Sequence, residues 1–515
     1  MSRTERLAIL LTILTFFTFF FGVIYPSISS FDYWNMAMAV QVQKTGRVSL
    51  DGNVPGFYIS TVVMSQVSSL SYRSIPTLPI QSIPLILFLA VILRRLSRGS
   101  LVYLPIVLAY VTFPVAPSQF TWGSHNVAFI LFLAIVFAGF KRLRIEDRRT
   151  IIANSVAIIV MIASLNFLSY KLTFLSIMLL IMLELVRLMG ATRKRTAPFM
   201  SGSSFGFLAA FGIVFTFLMN SYFYRTFIPS LRLASEGQFS YSTGLQKILA
   251  RLSPTKADPL ASYYLTSPSP IFVEHLLHYL LVFAALFVIV YPTVGRLLKN
   301  RDDLTNEQRL IFALFLTGLS YFVLYQLLGH PGLDYLTLTG IACLALRHRR
   351  TSKRTKQFSV IVIGAIIALN CYEVSYLTGN PSTIGPRDAM EFSYIYPSAM
   401  WYIENSNLDS TVTYETDVFT FGYFMIAGAE HNFSVFWNLD LLTREQLKSL
   451  LEPNRNDVQD SGDNNSEFII NYRLDYIELA GWEAYVPFSE FRDKMNSTPM
   501  LTRVYSSGYI EVFSR

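Results

Sequence analysis

The chain has 515 residues, of which 52% are hydrophobic and only 15% charged, with a formal net charge of +8. This balance excludes an ordinary soluble domain, in which charged residues make up about a quarter. Two cysteines exclude a disulfide framework, and the positive charge falls in short clusters between apolar runs, which reads as orientation and lipid contact rather than nucleic-acid binding.

Several windows of 17–22 residues carry almost no charge, the length that a helix needs to cross a hydrocarbon core of about 30 Å. Eleven spans are expected, over 7–26, 76–93, 100–118, 125–140, 151–169, 172–189, 199–221, 271–292, 309–328, 333–347 and 358–378. The second opens on Pro76, Pro79 and Pro84, and the fourth and tenth are short. The first exceeds a signal-peptide core and lacks a small-residue cleavage site, so it is expected to be retained. Cys343 and Cys371 fall inside spans. The fold class is thus an α-helical polytopic membrane protein of about 11 transmembrane helices.

Orientation follows from Lys and Arg. Arg3 and Arg6, then Arg94/Arg95/Arg98, "KRLRIEDRR" (141–149), "RLMGATRKR" (187–195), "RLLKNRDD" (296–303) and "RHRRTSKRTK" (347–356) occupy every second connection, while alternate short loops such as 119–124 and 329–332 have none. The positive-inside rule makes the basic loops cytoplasmic. An integral, multi-pass plasma-membrane protein results, with a cytoplasmic N-terminus and residues 379–515 outside.

Residues 1–378 then form a membrane domain with outer loops 27–75 and 222–270, and 379–515 form an extracytoplasmic α/β domain. In the first loop a short helix is expected over 33–45, ended by Gly46. The loop 222–270 is polar, with Pro/Ser clusters that favour an irregular path. In the last domain, strands are expected at 410–416, 432–437 and 467–472, a helix at 443–452 capped by Thr443, and a hairpin over 501–513 turning near Ser507 and Gly508. Asn432, Asn464 and Asn496 stand in N-x-S/T contexts in this domain.

Asp32 is the first candidate for chemistry. It follows the first span by a few residues, at the depth where a lipid-borne and a water-borne substrate meet. Held against an acceptor hydroxyl, its carboxylate can take a proton as a general base. The alternative is an N-cap of the helix behind it, worth about 1 kcal/mol. The two readings are compatible.

The loop "FDYWNMAMAVQVQKTGRVSLDGNVPGFYIS" resembles the first outer loop of GT-C membrane glycosyltransferases: an acid, an amphipathic helix, a "TG" near its end and a Tyr/Pro segment before the second span. Asp32, Thr45-Gly46 and Pro55-Gly56-Phe57-Tyr58 stand in those places. The resemblance implies inverting transfer of a sugar from a polyprenyl- or dolichyl-phosphate carrier at the outer membrane face, with Asp32 as base. The partners implied are a lipid-linked sugar donor, membrane lipids and a glycan, protein or lipid acceptor, with no nucleic acid. One departure is Tyr33, where many members carry a second acid. Asp51, in "LDGNVPG", suits a turn. No cofactor is expected. A single carboxylate offers few of the oxygen ligands that a divalent metal wants, although a loosely held ion stays compatible.

A departing lipid phosphate needs cations. Lys171, in the tight "NFLSYK" corner between two spans, Arg225, Arg232, His125 and His330 in "GHPGLDY" are candidates. Against them stand snorkelling for Lys171, a solvated loop for the arginines, and a helix start for His125. Trp34, Tyr58 and Trp122 offer rings for sugar stacking, or belong to core and interfacial belt. Glu274, His275 and His278 in "FVEHLLHYL" form a polar helix entrance rather than a metal site, and Glu184 is expected to pair with Arg187 or head groups. A transporter or lipid-oligosaccharide flippase would favour charges in mid-membrane and an internal repeat, and neither is visible. A polysaccharide polymerase or ligase is chemically close, and a non-catalytic scaffold is the blandest reading.

Overall fold

The structure, a computed structural model, describes residues 6–13, 15–16, 30–48, 54–77, 80–96, 101, 103–111, 123–144, 147–191, 205–219, 305–327, short stretches between 340 and 369, and 395–405, 412–415, 418–431, 439–441, 466–471, 476–478, 485–487, 502–507 and 510–514. Among the described residues, helices α1 (Ser30–Thr45) and α2 (Pro55–Ser68) precede the apolar bundle. Seven more form the apolar bundle: α3 (Ser82–Leu96), α4 (Tyr103–Val111), α5 (Ser124–Arg142), α6 (Arg148–Leu168), α7 (Tyr170–Ala191), α8 (Phe205–Met219) and α9 (Asn306–Leu327).

Local chemistry sets these boundaries. In α6, Asp147 caps the first turn by accepting from the Thr150 backbone N–H at 2.9 Å and from its hydroxyl at 2.7 Å. Those two bonds favour the carboxylate and hold its pKa below the usual value. Proline suits the first helical turn because its missing N–H would have no partner there, and Pro55 opens α2 in that way. At the end of α1, Gly46 takes φ +64, and its N–H donates to the Val42 carbonyl at 2.9 Å. A left-handed residue closing a helix is most cheaply glycine.

Among the described residues, α5 and α6 are long and apolar enough to cross a membrane, and α8 is a shorter apolar helix. Only 28% of the most apolar window of α6 is buried, so it is no core helix of a soluble fold. Its Ile152, Val156 and Val160, four residues apart, are each more than half exposed. Ile83, Leu87 and Val91 of α3, and Phe207, Val214 and Leu218 of α8, continue this apolar surface. Soluble monomers do not leave such belts open to water, whereas lipid solvates them and a helix satisfies its own backbone there. The inner faces pack through Leu89, Phe129, Phe132, Ile158, Ile162, Leu175 and Leu179, all essentially buried.

The bundle has a basic end. Arg142 of α5 is buried and donates to Ser155 Oγ in α6. Arg187 donates from Nε to Glu184 Oε2 at 3.0 Å, the pairing expected from the i,i+3 spacing. Arg144 pairs with Glu307 of α9, and Asn306 donates to the Leu143 carbonyl at 3.0 Å.

Among its described residues the C-terminal part is mixed α/β, with helices α10 (Ile395–Asn405) and α11 (Val418–His431) and seven strands: β1 (Val412–Glu415), β2 (Leu439–Leu441), β3 (Ser466–Asn471), β4 (Tyr476–Glu478), β5 (Tyr485–Pro487), β6 (Thr502–Ser506) and β7 (Ile510–Ser514). The main sheet runs β2-β1-β3-β7-β6 and β4 pairs with β5. β1 is parallel to both β2 and β3, so the chain returns between β1 and β2 through α11 as a β-α-β crossover. β7 runs antiparallel to β3 and β6. The terminal hairpin forms as expected, closed by the Ser507 N–H donating to the Ile510 carbonyl at 2.9 Å.

Several expectations shift. The 33–45 helix starts at Ser30, which moves Asp32 from ahead of the helix into its first turn. The second span becomes α3, beginning at Ser82; Pro84 falls in its first turn, where proline is tolerated. Helices α2, α10 and α11 were not anticipated. The expected strand 432–437, the helix 443–452, the sequons at Asn432, Asn464 and Asn496, the segment 272–280 and the spans 271–292 and 333–347 lie outside the described residues, apart from position 340.

Candidate active site

Helices α1 and α2 and the C-terminal part share one core. Met36, Ala37, Ala39 and Val40 of α1, with Phe57 and Tyr58 of α2, pack with Ile395, Ala399 and Tyr402 of α10, Phe424–Ala427 of α11, and Ile469, Ile510 and Val512 of the sheet. Small residues on α1 let α11 lie close against it. Val127 of α5 and Leu168 of α6 pack against the same cluster, so this unit sits on the bundle end opposite Arg142 and Arg187.

That seat is tight. A Cβ on Gly56 would lie 2.9 Å from Phe167 Cβ and 3.1 Å from its carbonyl oxygen. Glycine at this point lets α2 lie directly on the last turn of α6.

At the same corner, Ser169 joins α6 to α7. Its hydroxyl lies 3.0 Å from His125 Nδ1, and its carbonyl accepts from the Thr173 hydroxyl at 3.0 Å. Lys171 follows in the first turn of α7, with Nζ 6.0 Å from the Tyr170 ring centre. His125 is also the second residue of α5, as its reading as a helix start requires.

Asp32 and Trp34 stand in the first half of α1. The helix carrying them is held by α2 on one side and α11 on another. Arg225, Arg232, His330, Trp122 and Asp51 lie outside the described residues. Tyr58 does not offer an open face: it is 2% exposed, and burial pushes its phenol up to about 12, with a hydrogen bond to the Val54 backbone opposing. Its ring lies within the shared core. No group of three or more His, Cys, Asp or Glu able to hold a metal occurs among the described residues.

At the other end of α1 lies a polar cluster that sequence reasoning did not single out. Tyr396 of α10 donates its hydroxyl to Glu430 of α11, and His431 Nε2 lies 3.4 Å from the same oxygen. Burial, then the bond to the Glu430 carboxylate, raises the Tyr396 phenol to about 12. Lys44 donates to the Glu430 carbonyl, and Tyr72 donates to Gln43 Oε1 at 2.8 Å. The Arg73 guanidinium carbon lies over the Tyr396 ring, 3.6 Å from its centre. The available signal was that Arg73 is the one Lys or Arg between 48 and 93, on a face where such residues are scarce.

No family model matches the chain, and no curated protein does either. Two solved structures are similar to it in shape. One is an oligosaccharyltransferase of Archaeoglobus fulgidus, in complex with Zn and sulfate; the match has 10% identity and TM-score 0.46, and covers 91% of this chain and 68% of the other. The second is ArnT from Cupriavidus metallidurans bound to undecaprenyl phosphate, with 10% identity and TM-score 0.46, covering 100% and 98%. Likeness at that level decides neither fold nor chemistry.

Proposed function

We propose that the protein is a membrane glycosyltransferase of the GT-C kind, which moves a hexosyl or pentosyl unit from a polyprenyl- or dolichyl-phosphate carrier to a glycan, protein or lipid acceptor. The observation that supports this reading is the mounting of α1. Asp32 stands in the first turn of a helix immobilised by α2, itself seated on α6, and by α11 of the C-terminal part. A reaction between a lipid and a water-borne acceptor needs a base fixed at the membrane edge, because a misplacement of about 1 Å costs about a hundredfold in rate.

In the proposed step the Asp32 carboxylate takes the proton of the acceptor hydroxyl as its oxygen attacks the anomeric carbon. The bond from that carbon to the phosphate oxygen breaks, and the lipid phosphate leaves with the electron pair. A single displacement of this kind inverts the configuration. Lys171, beside His125 at the outer corner, is assigned to the departing phosphate, whose charge it meets without having to give up a proton. Arg225, Arg232 and His330 are further candidates for that role, and Trp34 for stacking on sugar. Neither a metal nor another cofactor is invoked. The reading also places the N-terminus in the cytoplasm and α1, α2 and the sheet domain outside.

The test is glycan mass spectrometry on cells lacking the gene, rescued with wild type or Asp32→Asn at matched membrane levels. Wild type should restore one sugar that Asp32→Asn does not, and the shorter glycan should accumulate. Equal rescue would remove Asp32 from the chemistry, and unchanged glycans throughout would remove the transferase reading.

A further inference from the structure

Three basic side chains surround the Tyr396–Glu430 pair, and two of them have ordinary explanations. Lys44, in the last turn of α1, donates to the Glu430 carbonyl at the end of α11. His431 stands in the last turn of α11. Cations at helix C-termini meet the negative end of the dipole. Arg73 is on no helix. It is half-buried, its Nε is enclosed, and it has no hydrogen bond or carboxylate partner among the described residues. The nearby carboxylate, Glu430, is engaged by the Tyr396 hydroxyl.

Stacking on Tyr396 uses the face of the guanidinium, whereas its five N–H donors lie around its edge. A staple between two segments needs only the face. With Nε enclosed, the donors left for a ligand are those of the two Nη atoms, a planar fork that can bind carboxylate or phosphate by two parallel hydrogen bonds. The neighbourhood favours an anion, since Arg73 and Lys44 outnumber Glu430. Its distance from Asp32 says which anion. Tyr72 is bonded to Gln43, eleven residues along α1 from Asp32, or about 16 Å at roughly 1.5 Å per residue. A phosphate leaving the anomeric carbon attacked under Asp32 cannot reach so far.

We infer that Arg73, laid on Tyr396, is the binding group for an oxyanion, a carboxylate or phosphate carried by the acceptor or by a neighbouring lipid headgroup, remote from the reacting hydroxyl. That the acceptor carries it rests on the transferase reading; the oxyanion site itself does not, and its test needs no turnover.

The full chain in phosphatidylcholine nanodiscs is titrated with a glucuronate-containing oligosaccharide, a neutral oligosaccharide of equal length and inorganic phosphate. Phosphatidylglycerol nanodiscs, read by native mass spectrometry for retained lipid, form the lipid arm. The acidic oligosaccharide should bind and the neutral one should not, and Arg73→Ala should weaken binding about ten- to a hundredfold. Arg73→Lys keeps a cation over the ring, and so the fold, but loses the planar fork; it should weaken binding several-fold. Inorganic phosphate, which has no acceptor hydroxyl to place against Asp32, should bind Asp32→Asn as it binds wild type. Dependence on Arg73 in the phosphatidylglycerol arm alone supports the site and assigns it to a headgroup. Equal binding of neutral and acidic probes, or Arg73→Lys and Arg73→Ala both indistinguishable from wild type in every arm, would overturn the inference. Loss of sugar transfer in Asp32→Asn with anion binding intact would show the two readings to be separate.

Discussion

Gly56→Ala probes the seat on which the proposed site depends. The new methyl would meet Phe167 Cβ at 2.9 Å, its carbonyl oxygen at 3.1 Å and its carbonyl carbon at 3.3 Å. Ordinary contact begins near 3.4 Å, so α2 must withdraw by about 0.5 Å (3.4 − 2.9) from α6. None of those three atoms can swing aside, since two are backbone and the third is fixed to it. Overpacking of this kind costs about 1–3 kcal/mol. Replacing glycine by alanine in a helix returns at most about 1 kcal/mol, and less at the second position of α2. A net loss of about 1–2 kcal/mol is expected, read as a lowered thermal midpoint of the purified protein in detergent. Phe167→Ala removes the ring but keeps Cβ and the carbonyl, so it should not rescue Gly56→Ala. Gly212→Ala is the comparison: its methyl would meet side-chain atoms and no backbone, Ile177 Cγ1 at 2.9 Å and Cδ1 at 3.3 Å, so relief needs an adjustment of the stiff, β-branched Ile177 alone, and its cost should be smaller. Rescue by Phe167→Ala, or a Gly56→Ala protein more stable than wild type, would refute the docking of α2 on α6.

Gly46→Ala meets no neighbour within 4 Å yet is held at φ +64, so it should cost about 1 kcal/mol through the backbone alone and show faster hydrogen exchange at the end of α1. Tyr58 supplies a pH signature. Its phenol is raised to about 12 in the folded protein against 10.0 for the free group, so its stabilising share is present below pH 10 and is lost as pH rises to about 12. Up to about 2–3 kcal/mol is at stake, and the fall in thermal midpoint over that window should be smaller in Tyr58→Phe. Glu184→Gln would leave Arg187 without its carboxylate beside the buried Arg142; a loss of about 2–4 kcal/mol is expected in thermal unfolding, and Arg187→Gln should recover part of it. Removing 395–515 would uncover Met36, Val40, Phe57 and Tyr58, so the truncated protein should lose sugar transfer and bind a hydrophobic dye. A well-inserted truncation with full transfer would show that α1 holds its position without α11.

Much of this was legible in the chain. The α1 helix with its terminal glycine, the Glu184–Arg187 pair, the hairpin at Ser507 and the strands around 412–415 and 466–471 rest on contacts between residues near in sequence or on simple periodicity. The apolar spans announce themselves because the bilayer demands the same length and composition of each. The tertiary structure decided which faces meet. Nothing in "NMAMAV" states that its apolar side belongs against Phe424 and Ile426 some 390 residues away. An apolar stripe specifies that a face is buried but not by what, because the hydrophobic effect has no direction. Helices α2, α10 and α11 escaped notice for a related reason: rich in aromatic or β-branched residues and glycine, they are poor helix formers alone and are held by packing. Arg73 is the sharpest case. In the sequence it is the one Lys or Arg between 48 and 93; over Tyr396, with Glu430 already engaged, it becomes an oriented guanidinium, and only the docking of the first loop on the C-terminal part creates that geometry.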